Sequence, residues 1–297
     1  MVKRREFLYG LGVAIGGSML LGPNLSAHAD AGWSDRLVQK FAELEKERGG
    51  RLGVAVTDTL SGNSAAHRGD ERFPMCSTFK ALAVAALLAR VDAGKEQIDR
   101  RVRFEAKDIV ANSPVSKNHV GSEGMSLADV CEAAITFSDN TAGNLLLANL
   151  GGPEGLTAYA RSLGDTVTRL DRNEPDLNEA LSGDPRDTTS PAAMLSDFRA
   201  LVSGNALMPA SRDRLIGWLV GNKTGDARLR AGFPRDWRIG DKTGSGEKGT
   251  TNDVAVVWPA ANRPPLFVAV YLTESSPEAE HRNATLAAVA RLVAASL

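Results

Sequence analysis

The run Ala81-Leu82-Ala83-Val84-Ala85-Ala86-Leu87-Leu88-Ala89 constrains this chain more than any other stretch of it. Its residues form a helix readily and leave no polar face. Such a helix is stable only when protein covers it on all sides, so the run predicts a large core with a helix at its centre. Ser77-Thr78-Phe79-Lys80 opens the run. Residues three apart share a helix face, which sets Ser77 and Lys80 side by side at the first turn, where backbone N–H groups lack intrahelical partners. A hydroxyl there meets the positive end of the helix dipole and an amine that can take its proton. Desolvation would lower the pKa of that amine toward a working base. The same pair also fits a capping serine beside a surface lysine. Ser245-Gly246-Glu247-Lys248 repeats the spacing by accident, so the motif gains force only from its company.

A chain of 297 residues has room for one large domain or two modest ones. Its net charge of −1 gives no bulk attraction to nucleic acid or to an anionic membrane. The 4 histidines and 2 cysteines are scattered without metal-ligand spacing, so neither a metal nor another cofactor is expected. The N-terminus reads as a targeting segment. Arg4-Arg5 precede Phe7-Leu8 and a glycine-interrupted apolar run, and Ala27-His28-Ala29 is a small-x-small cleavage site. Residues 1–29 are therefore an expected export signal of the twin-arginine type, with no membrane anchor after cleavage and a periplasmic or secreted destination.

Beyond the signal, a helix is expected from about Asp35 to Arg48, capped by Ser34 and stopped by Gly49-Gly50. Arg51–Asp58 alternates as a strand, with Leu52, Val54 and Val56 on one face, and Ser64–Arg68 returns as a second. From Ser77 to about Val220 the pattern is helical: Ser126–Phe137, Asn140–Leu150, Gly155–Leu163, Pro191–Ser203 and Ser211–Val220. Strand patterns return at Trp237–Thr243, Val254–Pro259 and Leu266–Thr273, and a last helix starts at Ser276-Pro277-Glu278. This order predicts an α/β (α+β) fold. One antiparallel sheet is built from both chain ends and flanked by helices, and an all-α block is inserted within it. The boundaries are 30–72 with 222–297 for the discontinuous α/β domain and 73–221 for the all-α domain. Two separate α+β domains are excluded, because the first two strands alone make a marginal sheet.

Three further clusters keep Ser77 and Lys80 company. Ser138-Asp139-Asn140 lies between two helices, where a hydroxyl and an amide can face a site. Lys-Thr-Gly occurs at Lys223-Thr224-Gly225 and at Lys242-Thr243-Gly244, and only the second ends a strand whose edge can bind a ligand while Lys242 and Thr243 hold an anion. The polar loop from Arg172 to Asp187 contains Glu174 and Asn178, a carboxylate and an amide able to hold one water between them. Taken singly, these are also a helix cap, a loop and a solvated acidic segment.

Together, in this order, they resemble the class A serine β-lactamases, a likeness that runs from about Asp30 to the C-terminus. The resemblance implies that fold, with the site between the two parts, and a monomer acting on small β-lactams. It implies that Ser77 is the nucleophile, that Lys80 or Glu174 is the acylation base, and that the N–H groups of Ser77 and Ser245 form the oxyanion hole. Ser138, with Lys242 beside it, would pass a proton to the lactam nitrogen. Glu174 and Asn178 would hold the deacylating water, and Asn140 would bind the side-chain amide of the substrate. Thr243, Gly244, Ser245 and Arg228 complete the implied substrate contacts. Arg228 is the choice for the carboxylate because Thr251 and Asn283 stand where relatives place arginines, with Arg230 as its neighbouring alternative. The resemblance also implies an Arg172–Asp187 pair, a cis Glu174-Pro175 bond and an open wall at Asn112. Cys131 and Cys76 face Val84 and Gly246 at their partner positions, which implies free thiols, with a Cys76–Cys131 bridge as the alternative. A penicillin-binding DD-peptidase and a β-lactam sensor domain are the rival readings. Glu174 with Asn178 argues against the first, and the absence of a span after the signal argues against the second.

Overall fold

The computed structural model describes residues 31–121, 123–260 and 263–297. The expected export signal lies outside them. In chain order the elements are α1 (Ala31–Arg48), β1 (Arg51–Asp58), β2 (Ser64–His67), β3 (Phe73–Pro74), α2 (Phe79–Asp92), β4 (Arg101–Val102), β5 (Met125–Ser126) and α3 (Leu127–Thr136). They continue with α4 (Asn140–Leu150), α5 (Pro153–Ser162), β6 (Thr188–Thr189), α6 (Pro191–Val202), α7 (Pro209–Val220), β7 (Arg238–Ser245), β8 (Thr251–Trp258), β9 (Leu266–Thr273) and α8 (Ala279–Ala294).

The main sheet has the order β2-β1-β9-β8-β7, and every neighbouring pair in it is antiparallel. The two chain ends meet where β1 runs along β9, from Arg51 opposite Thr273 to Asp58 opposite Leu266. The alternation read in β1 predicts one covered face, but Leu52 through Asp58 are all buried. The sheet is covered on both sides. Leu52, Val54 and Val56 pack with Phe41 of α1 and with Leu286 and Val289 of α8, while Ala55 faces the core that contains α2 and α6. Small and branched residues suit a strand held between two helical layers.

α2 is the central helix that its sequence demands, buried from Phe79 through Leu88. Its start differs from the expected one. Cys76–Thr78 form a short 3₁₀ turn that runs into α2 without a side-chain cap, so Ser77 does not serve as the N-cap. α1 begins before Ser34, because Trp33 is itself buried and donates from Nε1 to the Ser296 carbonyl at 3.0 Å, tying the start of the helix to the far end of the chain. Pro153 opens α5 at its first position, two residues before the expected Gly155, in keeping with the preference of proline for that place. Ser126 and Ser190 cap α3 and α6 by accepting from Asp129 N and Ala193 N.

α6 carries Asp197 into the interior at 2% exposure, against Asp165. One carboxylate oxygen of each has no hydrogen-bond partner among the described residues unless the two share a proton. Burial, then the charge of Asp165, pushes Asp197 up to about 9, and the nearby Arg161 only partly opposes this. A carboxyl whose pKa rises from 3.8 on folding binds its proton more tightly in the native state. Stability is then greatest in acid and is lost as pH rises toward that folded value. Asp197→Asn keeps a donor for Asp165 and cannot ionise. Its melting temperature should fall less than that of the parent as pH rises from about 5 to about 9. Parallel melting curves from the two proteins would refute the shared proton.

Candidate active site

The end of β7, the turn before α2, the turn between α3 and α4, and the loop from Arg172 to Asp187 converge on one cleft of about 630 Å³. Ser77, Ser138, Asn140, Asn178, Thr243, Gly244, Ser245 and Arg228 line it. Lys80, Glu174 and Lys242 lie beneath, nearly or wholly inaccessible. The eleven residues assigned to the site from the sequence therefore lie in or beneath this one cleft.

Ser77 Oγ donates to Glu174 Oε1 at 2.9 Å, and Lys80 Nζ stands 2.9 Å from each of those two oxygens. Hydroxyl, amine and carboxylate thus close a triangle. The lysine nitrogen also reaches Asn140 Oδ1 at 2.7 Å and the Ser138 carbonyl at 2.8 Å. Burial pulls the Lys80 pKa down, and the neighbouring Glu174 carboxylate opposes that pull. A surface lysine is excluded. Lys242 is pulled well below the ordinary range, first by burial and then by the charge of Lys80. Its Nζ donates to Ser138 Oγ at 3.0 Å and to the Thr243 carbonyl at 2.8 Å.

Local backbone geometry builds this arrangement. Cys76 and Ser138 hold φ at +46° and +56°, left-handed values that cost non-glycine residues roughly 1–3 kcal/mol each. Asn252 Nδ2 grips the Pro74 and Met75 carbonyls at 2.8 and 3.1 Å, which holds the Cys76 turn against β8. Asp139 pins the other turn by accepting from Val115 N, Ser116 N and Ser116 Oγ at 2.9, 2.9 and 2.7 Å. Gly143 in α4 makes room for the lysine stem, since a Cβ there would meet Lys80 Cε at 2.7 Å. Gly246 does the same for Cys76 Sγ, also 2.7 Å from an added Cβ. Cys76 and Cys131 are both free and buried.

The loop that carries Glu174 is closed by Arg172, whose Nε lies 2.6 Å from Asp187 Oδ2, while Asp187 Oδ1 accepts from Asp171 N and Arg172 N at 2.8 and 2.9 Å. The Glu174-Pro175 bond is cis. Asn144 brackets the backbone of Glu174, accepting from its N–H and donating to its carbonyl, both at 2.9 Å. Asn178 Nδ2 donates to Glu174 Oε2.

Arg228 reaches across to the end of β7. Its guanidinium donates to the Gly244 carbonyl at 2.8 Å, the Asn252 carbonyl at 2.7 Å and Ser245 Oγ at 2.6 Å. Arg230 turns away and pairs with buried Asp241 at 2.6 Å. Sequence reasoning missed three participants. Thr224 lines the cleft and bonds Thr243 Oγ1 through its hydroxyl, although its Lys-Thr-Gly reads as a loop remote from the site. Asn144 gives no signal beyond its place on a helix. Arg282 donates to Thr251 Oγ1 at 2.8 Å, so a cation stands behind the position where Thr251 itself supplies none.

A buried amine shared by a serine and a carboxylate, at the floor of a cleft beside a sheet edge, is the arrangement of a serine hydrolase that attacks through an activated hydroxyl. The chain belongs to the β-lactamase enzyme family, whose model matches residues 36–297. It is 48% identical to β-lactamase OXY-1 of Klebsiella oxytoca, over 89% of this chain and 90% of that one. It is 53% identical to β-lactamase AST-1 of Nocardia asteroides, over 87% of this chain and 83% of the relative. Among solved structures, the class A β-lactamase of the last common ancestor of Gram-negative bacteria superposes with a TM-score of 0.85 at 64% identity, covering 88% of this chain and 98% of that one. The fold and the family expected from the sequence are those found: this is a class A serine β-lactamase, a hydrolase of cyclic amides.

Proposed function

We propose that Ser77, Lys80, Glu174, Ser138 and Lys242 carry the reaction in two halves, on penicillins and cephalosporins. Ser77 Oγ attacks the lactam carbonyl as its proton leaves toward Lys80 or Glu174, and the N–H groups of Ser77 and Ser245 take the developing oxyanion. The lactam C–N bond breaks, and Ser138, beside Lys242, protonates the nitrogen. Water then attacks the Ser77 ester with Glu174 as base and Asn178 orienting it, which releases the ring-opened acid and restores the serine. The observation that carries this reading is the 2.9 Å triangle of Ser77, Lys80 and Glu174, because it puts two candidate bases on one nucleophile. Asn140 binds the acylamino side of the substrate. Thr243, Gly244, Ser245 and Arg228 hold its carboxylate.

Division of the chain into 30–72 with 222–297 and 73–221 fits a cleft formed where β7 meets α2 and the α3–α4 turn. The paired arginines and the Ala27-His28-Ala29 site support export to the periplasm or the medium. Among the described residues no helix is long and apolar enough to cross a membrane.

Purified protein should open penicillins and cephalosporins, followed by loss of lactam absorbance, and Ser77→Ala should not. Arg228→Ala should lower kcat/KM for carboxylate-bearing substrates roughly ten- to a hundredfold, the value of a hydrogen bond to a charged group. Should Arg230→Ala show that loss and Arg228→Ala not, the carboxylate contact belongs to Arg230.

A further inference from the structure

Beyond Ser138 the cleft continues along a wall that none of the motif residues supplies. Ile109, Val110, Pro114, Lys117 and Phe137 line it. Phe137 is 43% exposed, one of the few large apolar side chains that face solvent. It immediately precedes the left-handed Ser138, whose hydroxyl faces Lys242. Lys117 sits on a short 3₁₀ turn, Ser116–His119. That turn is fastened to the site by Asp139, through Val115 N and Ser116, and by Ser113 Oγ on Thr141 at 2.7 Å. The ammonium of Lys117 has no carboxylate partner among the described residues, whereas Arg172 and Arg230 are paired with carboxylates and the guanidinium of Arg228 is held by the Gly244 and Asn252 carbonyls and Ser245 Oγ. The wall therefore joins an exposed aromatic ring to an uncompensated cation on a fixed turn.

The substrate's orientation decides what meets that wall, and here the argument rests on the reading under Proposed function. With the acylamino side at Asn140 and the lactam nitrogen at Ser138, the fused ring extends past Ser138 toward Phe137. We infer that Phe137 and Lys117, backed by Ile109 and Val110, form a subsite for the fused-ring substituent of the β-lactam, one that favours a flat apolar group bearing negative charge. The ring of Phe137 covers the flat face, and Lys117 meets the charge from its flexible stem. Acylation of substrates with a cationic substituent at that position is disfavoured by the same lysine.

The test uses cephalosporins identical on the acylamino side, with a carboxyaryl group, a hydrogen or a quaternary ammonium on the fused ring. Lys117→Glu should lower kcat/KM for the anionic member roughly three- to tenfold and raise it for the cationic member by a similar factor, the size of a partly exposed charge pair. The hydrogen-bearing member should change less than twofold. Raising the salt concentration should shrink both shifts. Phe137→Ala should lower kcat/KM for the aryl member and spare the hydrogen-bearing one. Equal changes for all three substrates in Lys117→Glu would overturn the subsite while leaving the catalytic reading intact. Parent protein that turns over none of the three would overturn the catalytic reading itself.

Discussion

Glu174→Ala should stop the enzyme halfway, as a protein esterified on Ser77. The ester is cleared only if water attacks it, and that water needs a base beside the ester carbonyl. On the reading proposed above, Lys80 and Ser138 serve the departing lactam nitrogen. Glu174 reaches Ser77 Oγ at 2.9 Å from a separate loop fixed by Arg172, Asp187 and Asn144. Removing its carboxylate should slow deacylation by about 10²–10⁴, the usual share of a positioned base. Acylation should remain measurable for a reason visible in the site. The Glu174 carboxylate is the largest influence that holds the Lys80 pKa up against burial, so its loss leaves more of the amine neutral and able to take the Ser77 proton. Mixing the variant with a penicillin and weighing the intact protein should show the protein plus one whole substrate, since ring opening loses no atoms. Ser77→Ala should show no adduct. Glu174→Gln, which keeps the packing, should behave like Glu174→Ala. Parent-rate turnover without an adduct would remove Glu174 from the second half-reaction.

How much of this was legible in the chain depended on the range of the interaction. α2 was plain because nine consecutive apolar residues allow no other placement. The strands from both ends were readable from β-branched runs and turns, but their burial on both faces was not, since β1 alternates as if one side were wet. The helix starts failed where a distant contact overrode the local signal. Trp33 reaches Ser296, 263 residues away, and draws α1 past its apparent cap. In the site, the residues that their own chemistry and spacing single out, Ser77, Lys80, Ser138, Glu174 and Lys242, are brought together by the fold. Asn144, Thr224 and Arg282 were missed because each acts only through a partner remote in sequence: Glu174, Thr243 and Thr251. Arg228 was found only through a resemblance. Nothing in the stretch Asp226–Arg230 distinguishes it from Arg230 until the fold turns one toward Ser245 and the other toward Asp241.

Lys80→Met should complement Glu174→Ala by failing at the first half-reaction. Methionine fills much of the volume of the lysine stem, so the buried space beneath α4, where Gly143 leaves room for that stem, stays occupied. What disappears is the nitrogen that joins Ser77 Oγ, Ser138 O, Asn140 Oδ1 and Glu174 Oε1. Glu174 Oε1 still accepts from the serine hydroxyl at 2.9 Å in the parent arrangement, so a second route for the proton survives the substitution. Acylation should therefore slow by about 10²–10⁴ rather than vanish. Arg228 and Thr243, proposed to hold the substrate carboxylate, are untouched, so non-covalent binding of substrate should persist. Rapid-quench measurement of ester formation separates the two bases, because it reads acylation alone. A large loss in Lys80→Met with near-parent acylation in Glu174→Ala assigns the base to the lysine. The reverse pattern assigns it to the carboxylate, and comparable losses in both mean that the triangle passes the proton as a unit. The melting temperature should fall, because the substitution leaves the buried Glu174 carboxylate and Asn140 Oδ1 short of a partner, so acylation is read below the variant's own melting transition. If Lys80→Met acylates at the parent rate, the pairing of Lys80 with Ser77 at 2.9 Å holds the nucleophile in place without moving its proton.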